Sequence, residues 1–135
     1  MATDPQRSAL MKKVRRSGTA PEEAVAVLLG ELGIRMRRNV AGLPGTPDFA
    51  NKRRRVAVFV HGCFWHAHRN CRLAKLPAHN RQFWEKKLDA NRMRDRAKVR
   101  ALKSLGFGVL TIWQCELSGR ARVKLRALRD RQLTR

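Results

Sequence analysis

Val56-Ala57-Val58-Phe59-Val60-His61-Gly62-Cys63-Phe64-Trp65-His66-Ala67-His68-Arg69-Asn70-Cys71 is the stretch on which the fold of this chain turns. Its first five residues are continuously apolar, which is the pattern of a central strand covered on both faces. The chain then changes character at once. Two thiols and three imidazoles surround an adjacent Phe-Trp pair, so ligands for a metal, groups that move protons and a broad aromatic surface share one loop.

Upstream, Arg53 to Arg55 turn into the apolar run, Asp48-Phe49 begins a short strand, and Gly42-Leu43-Pro44-Gly45-Thr46-Pro47 is a tight connection. Residues 34–40 are expected to form another strand with outward arginines. Thr19-Ala20-Pro21-Glu22 has capping-box spacing, opening a helix through Val25, Leu28, Leu29 and Leu32 that Gly33 stops. Residues 1–18 read as a basic arm: Asp4-Pro5 opens a short helix whose thin stripe of Leu10, Met11 and Val14 buries too little to stand alone, so it is expected to order on DNA, with packing on the domain as the alternative.

Downstream, residues 80–105 read as a long helix ended by Gly106, with Phe83, Trp84, Leu88, Val99, Leu102 and Leu105 as its buried stripe. Asn91 and Asp95 fall near the same face, where a polar group is either a satisfied core residue or part of a site. Residues 109–113 form a further apolar strand, and Ser118 is expected to cap a basic helix carrying Val123, Leu125 and Leu128. The order α, β, β, β, α, β, α describes an α/β fold, a mixed sheet flanked by helices, in one domain over residues 19–135.

The 135 residues hold 31 Lys and Arg against 10 Asp and Glu, a formal charge of +21. Such a chain seeks a polyanion. If about 6 to 10 phosphates are contacted, counterion release would lower affinity for DNA by roughly 10³ to 10⁵ between 50 and 200 mM salt. No apolar run reaches the roughly 18 residues of a membrane span, and the N-terminus lacks the apolar core of a secretion signal. The expected location is therefore the cytoplasm. Three cysteines make an odd number for a disulfide framework, and metal ligation explains them better.

Cys63, Cys71 and Cys115 with one histidine would make a tetrahedral set suited to structural zinc, with His66 and His68 competing for the fourth place. Cys115 can reach the loop only if the strand ending at Trp113 neighbours Val56 to Val60. Pro47-Asp48 followed by an apolar strand is also the skeleton of a restriction-type nuclease centre, in which Asp48 would bind Mg²⁺. The second acid and the lysine usual on the next strand are missing, since Phe59-Val60-His61 stands there. A main-chain carbonyl, that of Val60, would then be the second metal ligand, and a histidine the general base or acid.

Taken in order, Leu43-Pro44-Gly45-Thr46-Pro47-Asp48-Phe49, His61-Gly62-Cys63-Phe64-Trp65-His66, Phe83-Trp84 with Lys87, Asn91 and Asp95, and Trp113-Gln114-Cys115 resemble the very short patch repair (Vsr) DNA mismatch endonucleases. The resemblance spans residues 8–117. It implies a restriction-endonuclease-like fold, a structural Zn²⁺, and Mg²⁺-dependent nicking 5′ of the wrong thymine in T·G mispairs left by deamination of 5-methylcytosine. It also implies roles. Asp48 and the Val60 carbonyl would hold Mg²⁺, His66 would be the base or acid with Glu22 and His61 in support, and Cys63, His68, Cys71 and Cys115 would hold Zn²⁺. Phe64 and Trp65, with Met11 from the arm, would enter the base stack, while Lys87 and Asn91 would face base edges. Val60 stands where better-known members carry threonine, which spares a backbone ligand but loses a hydroxyl.

The expected partner is mismatched duplex DNA bound by a monomer in the bacterial nucleoid, with further repair proteins as possible partners and no membrane. Two other readings fit the same charge and thiols: a zinc-stabilised DNA-binding protein without catalysis, and a restriction-like nuclease for matched sites.

Overall fold

The computed structural model describes residues 20–133, so the basic arm over 1–18, with Met11, and Thr19 of the capping box lie outside the described residues. Helix α1 (Ala20–Glu31) ends where Gly33, at φ +69°, lets the Ile34 amide turn back to the Leu29 carbonyl at 2.9 Å. Only glycine takes that conformation without steric cost. The strand expected over 34–40 shrinks to β1 (Arg37–Arg38). Asn39 is the reason: its φ of +50° breaks the extended run, and its amide bonds instead to the Asp48 carbonyl at 2.9 Å.

Strands β2 (Phe49–Asn51) and β3 (Val56–His61) follow as an antiparallel pair, then helix α2 (Arg81–Ser104), strand β4 (Gly108–Trp113) and helix α3 (Arg120–Leu128). The four strands lie in the order β1-β2-β3-β4, with β3 and β4 parallel and the other neighbours antiparallel. This is the mixed sheet flanked by helices that the element order predicts.

Alternation along β3 assigns the two faces of the sheet. Val56 and Val58 join Phe49 and Ile112 against Val25 and Leu29 of α1 and Leu125 of α3. Ala57 and Phe59 turn the other way, onto Val99 and Leu102 of α2. Both faces are therefore covered, which is why the run is apolar without interruption. His61 continues the parity of Ala57 and Phe59, so it points toward α2.

Three apolar residues expected in buried stripes are on the surface. Phe83 is 52% exposed, Leu105 51% and Val123 64%. At 100° per residue, Val123 lies about 200° around α3 from Leu125, and the buried stripe is Ala121, Leu125 and Leu128 instead. Leu105 falls just past the end of α2, and Phe83 sits one residue off the stripe through Trp84. Ser118 does not cap α3, which starts after Gly119 with no side-chain cap bond. Among the described residues no helix is long and apolar enough to cross a membrane.

Candidate active site and metal centre

The β2–β3 register pairs Phe49 with Val58, so one step further brings Asp48 to the end of the ladder near Val60. There the Val60 amide donates to Asp48 Oδ2 at 2.7 Å. The carboxylate is largely withdrawn from water, and that burial pushes its pKa up to about 6, against the Val60 hydrogen bond, with the charge of Glu22 adding to the rise. Glu22 is itself buried and accepts a bond from Arg38 at 3.3 Å, which ties α1 to β1 beside the site. Asp48, Val60, His61 and His66 line one cleft of about 760 Å³, together with Arg94 and Lys98 of α2.

His66 reaches this cleft from the loop after β3. Its ring stacks on that of His61, with centroids 3.8 Å apart and planes within 4°. On its other edge His66 Nδ1 meets Asp95 Oδ2 of α2 at 2.6 Å. Burial alone would raise Asp95, but the His66 bond and the fields of His61, His66 and Lys98 outweigh it and hold the carboxyl below its ordinary value. An ionised carboxylate only accepts, so the Nδ1 proton belongs to His66, and in the neutral ring the lone pair is then on Nε2. His61 is different. Burial drives its pKa down to about 3, and its Nδ1 has no hydrogen-bond partner among the described residues, so it stays neutral beside His66.

Ala67 separates two histidines that are only two residues apart. Its φ of +52° turns the chain between them, and Arg92 of α2 clamps its carbonyl through two N–H donors at 2.9 and 3.2 Å. His66 thereby faces the cleft while His68 faces the cysteines. The ligand atoms of Cys63, His68, Cys71 and Cys115 all lie within 4.8 Å of one another. His68 Nδ1 is 3.4 Å from Cys115 Sγ, and the Cys115 amide donates to Cys63 Sγ at 3.4 Å. Three thiols and an imidazole are the donor set for a soft ion in a closed tetrahedral site. Burial pushes the Cys63 thiol up to about 12, a cost that a bound metal would remove. As required, the parallel β3–β4 pairing brings Cys115 to the loop. Trp113 joins the two centres, its ring stacked on His68 at 4.0 Å and nearly perpendicular to that of His61 at 5.2 Å.

Beside the cleft, Phe64, Trp65 and Trp84 form a cluster of edge-on rings 5.1 to 6.0 Å apart. Trp84 is buried, whereas Phe64 and Trp65 are only partly so. Lys87 Nζ sits 5.9 Å from the Trp65 ring, and Asn91 donates to the Trp65 carbonyl at 2.9 Å. Asn91 thus fixes the backbone of the aromatic pair.

A family model described as "DNA mismatch endonuclease Vsr" matches residues 1–73. A type II nicking enzyme of Xanthomonas oryzae pv. oryzae is 46% identical over 127 residues, covering 93% of each chain. The DNA mismatch endonuclease Vsr of Escherichia coli K12 is 42% identical over 125 residues, 93% of this chain and 80% of its own length. This chain belongs to the Vsr family.

As a Vsr-family protein it is a DNA endonuclease of mismatch repair, restriction-endonuclease-like in fold. Of the expected site residues, the structure brings Asp48, Val60, His61 and His66 into one cleft with Glu22 close behind, and gathers the Cys/His set beside it. Sequence reasoning did not join Asp95 to His66, although it set Asp95 on the stripe of α2. It missed Lys98 altogether. The signal was present: Trp84, Leu88, Asn91, Asp95, Lys98 and Leu102 follow helical spacing of four and three, and the stripe turns polar where it meets Trp65, His66 and the cleft.

Proposed function

We propose that this protein is a Mg²⁺-dependent, strand-specific endonuclease that nicks 5′ of the thymine in a T·G mispair left by deamination of 5-methylcytosine. The observation that carries this reading is the sharing of one cleft by the half-buried Asp48 carboxylate and the Asp95-oriented His66, a few residues from an aromatic pair. Asp48 and the Val60 carbonyl are hard oxygen donors that fit Mg²⁺, and the bound ion would supply positive charge to the scissile phosphate and the leaving oxygen. His66 Nε2 takes the proton of the attacking water as the new P–O bond forms and the old one breaks. Asp95 keeps His66 in the tautomer that can do so, and neutral His61 packs its ring in place. Glu22 adds negative charge behind Asp48. Cys63, His68, Cys71 and Cys115 fit Zn²⁺, which would clamp the loop bearing His66 to β4.

A wobble pair is held weakly, so opening its stack costs less than at a matched pair. Phe64 and Trp65, with Met11, replace the lost stacking at roughly 1 to 3 kcal/mol per base–aromatic contact. Lys87 and Asn91 stand next to these rings, where the bases beside the mispair would lie. The enzyme works as a monomer on nucleoid DNA in the cytoplasm.

The test is a nicking assay with Mg²⁺ over end-labelled homoduplex and all single mismatches. Preferential cutting of one strand at T·G supports the reading; equal cutting of homoduplex would favour a matched-site nuclease, and tight binding without cutting a non-catalytic protein. In the same assay Trp65→Ala should lower the preference for T·G over homoduplex about tenfold or more, with a smaller loss of total affinity. A uniform loss on both duplexes would argue against the wedge. Asp95→Asn should reduce the single-turnover rate about 10²- to 10⁴-fold and leave DNA binding intact. An unchanged rate would show that His66 needs no partner.

A further inference from the structure

Resting on the nuclease reading above, we infer that Lys98 is the phosphate-binding cation of this active site, supplied by helix α2 in place of the lysine that the neighbouring strand lacks. Phe59, Val60 and His61 occupy the strand positions facing the cleft, and none carries a fixed positive charge. Lys98 lines the same cleft as Asp48, Val60 and His66. It stands three residues after Asp95, so helical geometry sets it on the same face, one turn further along α2.

The connection before Asp48 is shaped around its stem. A Cβ built on Gly45 would fall 2.6 to 2.8 Å from Lys98 Cβ, Cγ and Cδ, closer than packed carbons come. Gly45 also has φ +75°, so its lack of a side chain meets two demands: the turn itself and the passage of the lysine over it. The ammonium makes no ion pair with any described carboxylate, although several elsewhere in the molecule are paired with arginines. Its field nonetheless reaches Asp48, His61 and Asp95. A half-buried lysine whose stem is packed and whose head lies in a cleft awaiting a polyanion is a pre-placed counter-charge. A non-bridging oxygen of the scissile phosphate gains negative charge as water attacks, and a cation already in position stabilises that charge without reorganising.

Lys98→Met keeps the stem over Gly45 and removes the charge; Lys98→Arg restores a charge at slightly different reach. With saturating enzyme and Mg²⁺, Lys98→Met is expected to slow single-turnover nicking of a T·G duplex by about 10²-fold while the Kd for uncut duplex, measured in Ca²⁺, changes less than about threefold, the share of one phosphate contact among many. Lys98→Arg should recover part of the rate. Replacing a non-bridging oxygen of the scissile phosphate by sulfur gives a second readout, because a thio-effect mediated by Lys98 should shrink in Lys98→Met. A folded Lys98→Met protein that nicks as fast as the parent, or keeps the full thio-effect, overturns the assignment while leaving the nuclease reading intact. Failure of the parent protein to nick any duplex would overturn that reading and the assignment with it.

Discussion

Asp48→Asn is expected to abolish nicking and, in the same molecule, to stabilise the fold. The two effects share a cause. Burial raises the Asp48 pKa from 3.8 to about 6, so the folded protein holds a proton on this carboxyl more tightly than the unfolded chain does. Above pH 6 the group is ionised in both states, and the folded state carries the full penalty of a half-desolvated charge, at most about 3 kcal/mol from the shift and nearer 1 to 2 after allowance for the partly open cleft. Asparagine keeps an acceptor for the Val60 amide and removes the charge. Urea unfolding at pH 7.5 without added Mg²⁺ should therefore show Asp48→Asn more stable by about 1 to 2 kcal/mol, or about 3 to 8 °C in Tm. As pH falls from 6 toward 4 the parent takes up its proton, and the gap should close.

His61 acts in the opposite direction: its pKa is lowered to about 3, so stability is lost as pH falls below 6.5. Both proteins share that loss, and the difference between them isolates Asp48. A destabilised Asp48→Asn would mean that the carboxylate is a structural hydrogen-bonding group. A site that is costly without its cation is what a metal-dependent enzyme needs, since the same charge that weakens the empty fold binds the ion.

The fold was readable wherever one physical cause dominated. Val56 to Val60 is apolar because both sheet faces are covered, and Gly33 and Gly106 end helices because each takes positive φ. The sequence was less informative where tertiary contacts chose between equal local options. Nothing local tells Asn39 to leave the extended region, or places Leu105 and Phe83 outside the core. The site divides in the same way. Cys63, Cys71 and Cys115 announce themselves by chemistry, whereas the choice between His66 and His68 rests on the left-handed turn at Ala67 and its clamp by Arg92. The pairing of Asp95 with His66 joins residues 29 apart along the chain and exists only because α2 packs over the end of β3.

Replacing Cys71 or Cys115 by serine is expected to remove the metal, lower Tm and abolish nicking, while most of the secondary structure survives. Residues 62–80 contain one short 3₁₀ turn, Arg72–Ala74, and Cys63 is their only fully buried residue. Such a segment buries too little to offset its own ordering entropy, roughly 1 to 2 kcal/mol per residue for the backbone alone. A metal bound between Cys63, His68, Cys71 and Cys115 would supply the deficit. The main core, built by α1, α3 and the sheet, contains none of residues 62–80. Loss of the metal should therefore melt the segment first and the rest at a lower temperature than before, with Tm down by about 10 °C or more, given the size of structural zinc affinities. Elemental analysis should find one zinc in the parent and none in Cys115→Ser, and hydrogen exchange should speed up over 62–80 while β3 and α1 keep their protection. Cys71 and Cys115 are better choices than buried Cys63, whose substitution would also disturb packing. Nicking should disappear together with the order of the segment, because His66, Phe64 and Trp65 all ride on it. A serine variant that retains zinc and activity would remove that cysteine from the centre; one that loses zinc yet nicks normally would show that the clamp does not position His66.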